Sequence, residues 1–390
     1  MSPSKPSPSP KKIRWIRTPT EWESFLRRAS KEGRVAVDME ADGFHAYAPQ
    51  VCLWQLAVLD DPYLLDPLAW EGIPPLGELW WDQAIVKVFH GSDYDMRMIK
   101  EVYGKTPVSL EDTKILGELI GAPRLSLGAL LEDRLGIVVN KSKKLQRANW
   151  AKRPLGDALE TYAAGDVRDL LALRDDMFED LKEKGRESWF EEESQVYESL
   201  EPTIPNPATV QHAHRIKGTR GLPPWQLAVL EALWLEREAW GKRRNVATFR
   251  LVGNDALFRL ATHQKKGGPP QNLDILPRRM KPQQKKRFES ALKRGLAVVP
   301  TDYPSHNPPK RNKPPIGPPA ASEVLREARE RFAKKAGIQV ATALPGRSLV
   351  AIAKARPRSL ESLRQVEGVA AWRVEAFGEA ILNALASLRN

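Results

Sequence analysis

The sequence predicts an α/β domain with a mixed sheet in the first half of the chain, followed by small helical units. Short apolar runs alternate with segments of helical spacing before residue 185, as strands and the helices that cover them do. Residues 1–200 carry 27 Lys and Arg against 34 Asp and Glu, whereas the rest of the chain carries 34 basic and 15 acidic residues. Proline-rich stretches separate the later helical segments. The basic half is predicted to bind a polyanion, and the alternative is a basic tail that aids solubility.

The strands of the α/β domain are predicted from its apolar runs. The first, residues 34–38, ends on an acidic residue. Residues 51–58 form the second, and a third lies near residues 63–66. The fourth, residues 85–90, is followed directly by helical spacing.

Helices are predicted at residues 112–120, 126–135 and 155–184 from their apolar periodicity. Ser126 provides an N-cap signal for the second of these helices. The acidic run at residues 187–193, with the prolines that follow it, is predicted to mark the end of the α/β domain.

The domain boundaries follow from composition. Residues 1–12 are rich in Pro and Ser and lack the apolar segment of a signal peptide, so a disordered tail is predicted. The α/β domain is predicted over 13–200 and a first helical unit over 201–298. A stiff, basic, Pro-rich linker is predicted over 299–319 and a second helical unit over 320–390.

The cysteine content and the length of the apolar runs indicate the cellular location. Cys52 is the only cysteine, so an intramolecular disulfide is excluded and a reducing, cytoplasmic location is favoured. Its apolar neighbours predict a buried thiol in a strand. No apolar run reaches ~18 residues, so no association with a membrane is predicted.

Acidic residues occur in three separate stretches of the α/β domain. Asp38 and Glu40 are two positions apart on a predicted strand, so their side chains point to the same face. In the second stretch, Asp95 shares a helix face with apolar residues. Asp93 is off that face, and we predict it to be an N-cap or a solvent-facing acid.

The third stretch pairs a tyrosine with an acid. Tyr162 and Asp166 are four positions apart and therefore neighbours on one face of a predicted helix. Apolar residues continue the same stripe, and an acid on a buried stripe is costly unless it is paired or bound to a metal. Core packing with the hydroxyl at the rim is the alternative for Tyr162.

Convergent carboxylates of this kind suit a pair of divalent cations. Mg²⁺ and Mn²⁺ prefer carboxylate and water ligands. Two such ions ~3.5–4 Å apart hold a phosphate, activate a water and stabilise a leaving oxygen. Asp38 suits a bridging position and Glu40 suits one ion, while Tyr162 is placed to orient the water. The residues by themselves predict phosphodiester hydrolysis, and a solvated strand end is the alternative for the Asp-x-Glu pair.

The three stretches resemble the exonuclease motifs of the DEDD superfamily, and the pattern as a whole is similar to the ribonuclease D family. The resemblance extends over about residues 30–180 and includes His90-Gly91 before Asp95. It also includes residues 110–113 and the segments from 140 to 155 that precede Tyr162. It implies a ribonuclease H-like exonuclease fold.

The resemblance also implies roles for the site residues. Asp38, Glu40, Asp95 and Asp166 would be the metal ligands, and Tyr162 would position the water, as in the tyrosine subtype. The histidine subtype has His at position 161, where this chain has Thr161. Met39 stands where the family often has Thr, and its side chain is predicted to point away from the metals.

The implied activity is 3′→5′ exonucleolytic hydrolysis of RNA. The resemblance implies two divalent cations, Mg²⁺ or Mn²⁺, and a substrate with a single-stranded 3′ end, with tRNA precursors as the expected RNA. The products would be nucleoside 5′-monophosphates, and the chain would act as a monomer. Two alternatives remain open: a 3′→5′ DNA exonuclease of the same superfamily, and an inactive nucleic-acid-binding scaffold.

The helical units resemble HRDC domains, which implies nucleic-acid binding. Residues 225–261 resemble one copy, and residues 325–378 resemble a second copy more closely. Where family members often have Gly-Val-Gly, this chain has Gly368-Val369-Ala370, which departs from a turn that holds a phosphate through backbone amides.

Candidates for nucleic-acid contact fall into two groups. Around the acids they are Gln55, His90, Trp150 and Arg153, for which structural roles are equally open: core packing for Trp150 and an ion pair with an acid for Arg153. In the basic half they share a positive charge that neutralises phosphates without reading sequence, and a solvated helix surface is the alternative. These are Lys265, Lys266, Arg278, Arg279, Lys281, Lys285, Lys286, Arg287, Lys293 and Arg294.

Overall fold

The computed structural model describes residues 12–139, 142–198, 216–304 and 319–388. The strands are β1 (Arg14–Ile16), β2 (Arg34–Ala41), β3 (Val51–Val58), β4 (Asp61–Leu65), β5 (Val86–Phe89) and β6 (Leu110–Asp112). The helices of the same region are α1 (Pro19–Glu32), α2 (Gly77–Trp80), α3 (Asp93–Tyr103), α4 (Thr113–Ile120), α5 (Leu127–Leu130), α6 (Lys143–Gln146), α7 (Asp157–Arg168), α8 (Leu170–Glu183) and α9 (Glu187–Glu198). A π-helical turn, Leu131–Leu135, continues α5.

The helices of the carboxy-terminal half form two groups. The first group is α10 (Pro224–Arg244), α11 (Thr248–Leu251), α12 (Asn254–Thr262) and α13 (Pro282–Leu296). The second group is α14 (Pro319–Ala336), α15 (Val340–Ala343), α16 (Gly346–Ala355), α17 (Leu360–Arg364) and α18 (Ala371–Ala386). The predicted tail and most of the predicted Pro-rich linker lie outside the described residues. Among the described residues, no helix has the length and apolar character needed to cross a membrane.

The six strands form one mixed sheet in the order β1-β4-β3-β2-β5-β6. The β1–β4, β2–β5 and β5–β6 pairs are parallel, and the β3–β4 pair is antiparallel. The mixed sheet with covering helices is the predicted class. β3 has the predicted bounds, and β2 continues three residues beyond its prediction, through Glu40.

The alternation of side chains along β2 places the acidic pair. Val35, Val37 and Met39 belong to a core cluster that includes Trp22 and Phe25 of α1. Ala36 belongs to a different cluster, which includes residues of α4 and α8. Asp38 and Glu40 have the parity of Ala36 and therefore lie on the opposite face from Met39. Met39 points away from the acids, as predicted.

One predicted feature of the α/β domain was wrong. The helix expected over 155–184 is two helices, because α7 ends at Arg168 and α8 begins after Asp169, whose carbonyl accepts from the Leu173 amide at 3.0 Å. The acidic run at 187–193, which with the following prolines was predicted to mark the end of the domain, forms α9, and Phe190 of that helix is buried in the core. No pattern in the sequence predicted β1 or β6.

The second helical group, residues 319–388, belongs to the same compact unit as the α/β domain. Gly121 at the end of α4 shows how closely they pack, because a Cβ there would lie 1.8 Å from the carbonyl oxygen of Gly337. Arg186 donates to the carbonyl of Leu119 in α4 and, at 2.5 Å, to that of Ala336 in α14. The helical group therefore shares a core with α4, α8 and α9.

The first helical group forms a separate compact unit, whose described residues are 216–304 together with 41–50. Its core includes Leu230 and Trp234 of α10, Leu257 of α12 and Phe288 of α13. Residues 41–50, which join β2 to β3, pack against it: the side-chain oxygen of Asn245 accepts from the amides of Tyr47 and Ala48, both at 3.1 Å.

Candidate active site

The structure distributes the four predicted acids over three elements of the α/β domain. Asp38 and Glu40 lie on β2, Asp95 lies in the first turn of α3, and Asp166 lies in the last turn of α7. Asp38, Glu40 and Asp166 are partly exposed, and Asp95 is buried. The choice between the two aspartates of α3 agrees with this placement, because Asp93 faces solvent and pairs with Arg97 at 3.0 Å.

The four carboxyl groups perturb one another. Burial raises the pKa of Asp38 to about 7, and an amide hydrogen bond from Met39 opposes that shift. Burial also raises the pKa of Glu40 to about 10, and the charges of Asp38, Asp166 and Asp95 add to the effect. Because like charges raise a carboxyl pKa only at short range, these shifts place the four acids in one cluster.

The same causes act on the other two acids. Burial and then the charge of Asp38 raise the pKa of Asp95 and that of Asp166 well above the usual range. A hydrogen bond from Tyr162 lowers the pKa of Asp166 in part. Clusters of carboxylates in this condition are stabilised by a bound cation.

The donor set fits a divalent cation, although the ligands are not in coordination geometry. Oδ1 of Asp95 is buried and makes no hydrogen bond within the described part of the chain. Carboxylate oxygens are the ligands that Mg²⁺ and Mn²⁺ prefer. Within the four described ranges, no three His, Cys, Asp or Glu side chains are arranged to hold a metal ion.

Tyr162 lies beside the acids on α7. Burial, followed by the charges of Asp166 and Glu40, raises its pKa above the usual range, so the hydroxyl stays protonated at neutral pH. The ring packs near Trp150, with the two centroids 6.1 Å apart. The hydroxyl therefore lies among the carboxylates while the ring is held by the core.

Asp112 fixes the loop that leads into α3 and is the N-cap of α4. Its Oδ1 accepts from the amides of Gly91 and Lys114, both at 2.8 Å. Its Oδ2 accepts from the amide of Ser92 at 2.8 Å and from the hydroxyl of Ser92 at 2.9 Å. This fully buried carboxylate thereby orients the turn that carries Asp95.

Comparison with known proteins agrees with this geometry. A family model described as 3′-5′ exonuclease matches residues 13–182, and one described as HRDC domain matches residues 319–385. A ribonuclease D from Nitrobacter hamburgensis is 30% identical over 380 residues, which is 94% of each chain. The chain belongs to the ribonuclease D family. It is accordingly a 3′→5′ exoribonuclease with a carboxy-terminal HRDC domain.

Solved structures have the same fold. The crystal structure of a protein from Bifidobacterium adolescentis aligns with a TM-score of 0.77 and 20% identity, covering 97% of this chain and all of the other. Ribonuclease D of Escherichia coli aligns with a TM-score of 0.66 and 22% identity, covering 96% of this chain and 99% of the other.

Among the predicted nucleic-acid contacts of this ribonuclease D family member, Gln55 and Trp150 are interior residues. Both side chains are fully buried, and the indole of Trp150 packs in a cluster with Cys52, whose thiol is buried as predicted. The Gln55 amide lowers the pKa of Glu40, although neither of its polar atoms has a well-aligned hydrogen bond within the described residues. Core packing, the alternative for Trp150, accounts for its position.

His90 follows β5 and is held by Thr113. The Thr113 hydroxyl donates to the carbonyl of Phe89 at 3.0 Å and lies 2.9 Å from Nδ1 of His90. Because the hydroxyl proton is used for Phe89, Nδ1 is the donor in the His90 contact. The ring is half-buried at the edge of the site, so contact with RNA stays a prediction for this residue.

Arg153 forms an internal ion pair, which is the structural alternative given for it. It donates to both oxygens of Asp66, at 2.6 and 2.7 Å, and to the carbonyls of Cys52 and Trp150, at 2.6 and 2.7 Å. The side chain of Asp66 is only 5% exposed. Arg153 thus joins β3, the turn after β4 and the segment before α7.

Replacing Arg153 with Met is expected to lower the free energy of unfolding by about 3 kcal/mol, because Asp66 loses its charge partner in the interior. Urea unfolding monitored by circular dichroism measures the loss. Arg27→Met is the matched control, since its contact with Glu23 is exposed on both sides and contributes little. Equal losses in the two variants would contradict the role of the buried pair.

The basic residues predicted to contact RNA belong mainly to α13 and to the segments around it. Lys265 and Lys266 follow α12, and Arg278 and Arg279 precede α13. Lys281 is the N-cap residue of α13, and the helix itself carries Lys285, Lys286, Arg287, Lys293 and Arg294. Apart from Lys285, which is half-buried, these side chains are exposed, as phosphate contacts require.

Glutamates of α9 bind the first turn of α18, next to the Gly368-Val369-Ala370 turn. The amide of Trp372, in the first turn of the helix, donates to the carboxylate of Glu192 at 3.1 Å. Its indole nitrogen donates to Glu193 at 2.8 Å. These bonds occupy the helix start, so the Gly368-Val369-Ala370 turn differs from a phosphate site in its contacts as well as in its sequence.

Proposed function

We propose that the chain trims single-stranded RNA 3′ ends, with tRNA precursors as the natural class of substrate, by two-metal hydrolysis that releases nucleoside 5′-monophosphates. The observation that carries the proposal is the cluster of four carboxyl groups, whose pKa values are raised by burial and by each other, beside the protonated hydroxyl of Tyr162. The single, buried Cys52 supports a cytoplasmic setting.

Asp38, Glu40, Asp95 and Asp166 would hold two ions of Mg²⁺ or Mn²⁺. Such ions, when bound, supply a water of lowered pKa and neutralise charge on the scissile phosphate. Asp38 and Glu40 lie on one face of β2, and the charges of Asp38, Asp166 and Asp95 all raise the pKa of Glu40, which supports the convergence of the four acids.

The protein groups perform the remaining tasks. The hydroxyl of Tyr162 keeps its proton and lies near Asp166 and Glu40, which supports a role in orienting the attacking water. Asp112 holds the turn before α3 through three hydrogen bonds and so keeps Asp95 in place.

Cleavage of RNA should exceed cleavage of the matching DNA. The experiment uses a 3′-labelled single-stranded RNA and a DNA of the same sequence, each with Mg²⁺, with Mn²⁺ and with chelator. We expect labelled nucleoside 5′-monophosphate from the RNA with either metal and none with chelator. DNA cleavage equal to or faster than RNA cleavage would reject the RNA preference, and full activity in chelator would reject the metal mechanism.

The precursor class is tested separately. A tRNA precursor with a single-stranded 3′ extension should be shortened one nucleotide at a time, and shortening should stop near the base-paired stem. A matched precursor whose extension is paired with a complementary strand is the control and should resist cleavage. Equal rates on the two RNAs would contradict the requirement for a single-stranded end.

A further inference from the structure

The first helical group carries a cluster of three arginines around one glutamate, the Glu236 cluster. Nη2 of Arg243 lies 3.5 Å from Oε1 of Glu236, and Nη1 of Arg287 lies 3.8 Å from the same oxygen. Nη2 of Arg294 lies 3.5 Å from Oε2. Three positive charges therefore meet one negative charge, which leaves a surplus of two at this point.

The cluster follows from how two helices pack. Glu236 and Arg243 are seven residues apart on α10, and Arg287 and Arg294 are seven residues apart on α13, so each pair lies along one helix face. The helices approach closely at Gly295, where a Cβ would lie 2.5 Å from the Cα of Val229. This close packing brings guanidinium groups from both helices to the same carboxylate.

Glu236 leaves most hydrogen-bond donors of the three arginines without a short contact to it. Charge-assisted hydrogen bonds between guanidinium and carboxylate groups are about 2.7–2.9 Å long, and all three contacts here are longer. Oε1 of Glu236 is buried and makes no hydrogen bond within the described residues. Each guanidinium has several N–H donors, so most of them stay available to another anion.

The arginine side chains of the cluster are more exposed to solvent than the glutamate side chain. The side chain of Glu236 is 13% exposed, whereas those of Arg243, Arg287 and Arg294 are 47%, 48% and 59% exposed. The carboxylate lies beneath the arginines, and the guanidiniums face solvent. Residues 223–300 contain 16 Lys and Arg and 6 Asp and Glu, so the surroundings also favour a polyanion.

We propose that Arg243, Arg287 and Arg294 form an anchoring site for the phosphodiester backbone of substrate RNA, with Glu236 holding the three guanidiniums together. The planar guanidinium fork matches phosphate oxygens in pairs, which an ammonium group cannot do. Such contacts hold the RNA chain without selecting its sequence. The proposal rests on RNA being the substrate and adds a site for the part of the RNA that is not being cut.

The test measures RNA affinity of the full chain. A fluorescein-labelled single-stranded RNA is titrated in chelator, which prevents cleavage, over a series of salt concentrations. For the triple variant Arg243→Gln, Arg287→Gln, Arg294→Gln, we expect Kd to rise at least about tenfold near 0.1 M salt. The slope of log K against log salt should fall by about 2, since each lost phosphate contact on a single strand contributes about 0.7.

Two further variants separate the site from net charge. The triple Arg326→Gln, Arg331→Gln, Arg364→Gln removes the same charge from exposed positions of the HRDC domain, and its Kd should change less than about twofold. The triple variant Arg243→Lys, Arg287→Lys, Arg294→Lys, called the Lys triple, keeps the charge and loses the planar guanidinium, so its salt slope should be preserved while its Kd rises. If the Gln triple unfolds, as judged by its melting temperature, the Lys triple decides the question.

The outcomes distinguish the anchor from the proposed function. Equal losses in the two Gln triples would show that net charge alone acts, and an unchanged Kd in the site triple would also overturn the anchor. Failure of the wild-type chain to cleave any RNA would instead overturn the proposed function.

Discussion

Asp38→Asn and Asp166→Asn are each expected to reduce exonuclease turnover by at least about 10²–10³-fold while RNA affinity stays within about threefold of wild type. Each substitution removes one negative oxygen ligand from the carboxylate cluster and changes side-chain size very little. RNA affinity is preserved because phosphate contacts elsewhere, in particular in the basic helical unit, supply most of it.

Asp38 and Asp166 lie on different elements, β2 and α7. Comparable losses in the two variants would therefore assign both elements to the same site. Single-turnover cleavage of 3′-labelled RNA at saturating enzyme measures the chemical step directly.

Asp93→Asn is the matched control, because Asp93 lies on the same helix as Asp95 but faces solvent and pairs with Arg97. It should keep wild-type turnover. A second measurement does not depend on activity: Mn²⁺ should raise the melting temperature of the wild type and of Asp93→Asn, and it should raise that of Asp38→Asn much less. Substantial turnover in Asp38→Asn or Asp166→Asn would show that the metal ligands are assigned wrongly.

Much of the site was predictable because its residues obey local periodicity. The alternation of side chains along a strand placed Asp38 and Glu40 on one face, and the helical period placed Asp95 and Asp93 on different faces. The i, i+4 spacing likewise put Tyr162 beside Asp166 on α7. In each case the decisive neighbours are within four residues, so the sequence holds the information.

The parts that were missed depend on contacts between distant residues. β6 is three residues long and exists because it pairs with β5, which no local pattern reveals. The break at Asp169 has no Gly or Pro to mark it, since apolar residues continue on both sides. The acidic run in α9 predicted the end of the domain, but it did not reveal that Glu192 and Glu193 bind Trp372, about 180 positions away.

Trp372→Ala is expected to lower the free energy of unfolding of the full chain by about 3–5 kcal/mol, the usual range for removing a fully buried tryptophan. Trp372 is 0% exposed, and its ring stacks on that of Trp189 with centroids 4.2 Å apart. Its indole and backbone nitrogens donate to Glu193 and Glu192. Because these partners all belong to α9, the substitution weakens the contact between the HRDC domain and the exonuclease domain.

Trp372→Phe separates packing from hydrogen bonding, since it keeps an aromatic ring against Trp189 and loses the bond to Glu193. We expect a loss of about 1–3 kcal/mol for this variant, the cost of leaving a buried acceptor with fewer partners. Trp81→Ala is the control for a tryptophan that is 37% exposed, and it should destabilise the chain least of the three. A loss for Trp372→Ala no larger than that for Trp81→Ala would contradict the buried contact.

The same contact predicts what truncation does. Deleting residues 319–390 uncovers the ring of Trp189 and leaves Arg186 without the carbonyl of Ala336, so the remaining chain should unfold at a lower temperature. The triple variant Arg243→Lys, Arg287→Lys, Arg294→Lys keeps positive partners for Glu236, so it should instead leave the melting temperature nearly unchanged and weaken RNA binding. The deletion should lower the melting temperature, and the variant of the Glu236 cluster should lower RNA affinity. Measuring both quantities on both proteins therefore tests whether the HRDC domain stabilises the exonuclease fold and whether the Glu236 cluster binds RNA. An HRDC deletion that left the melting temperature unchanged and reduced only RNA affinity would reverse that assignment.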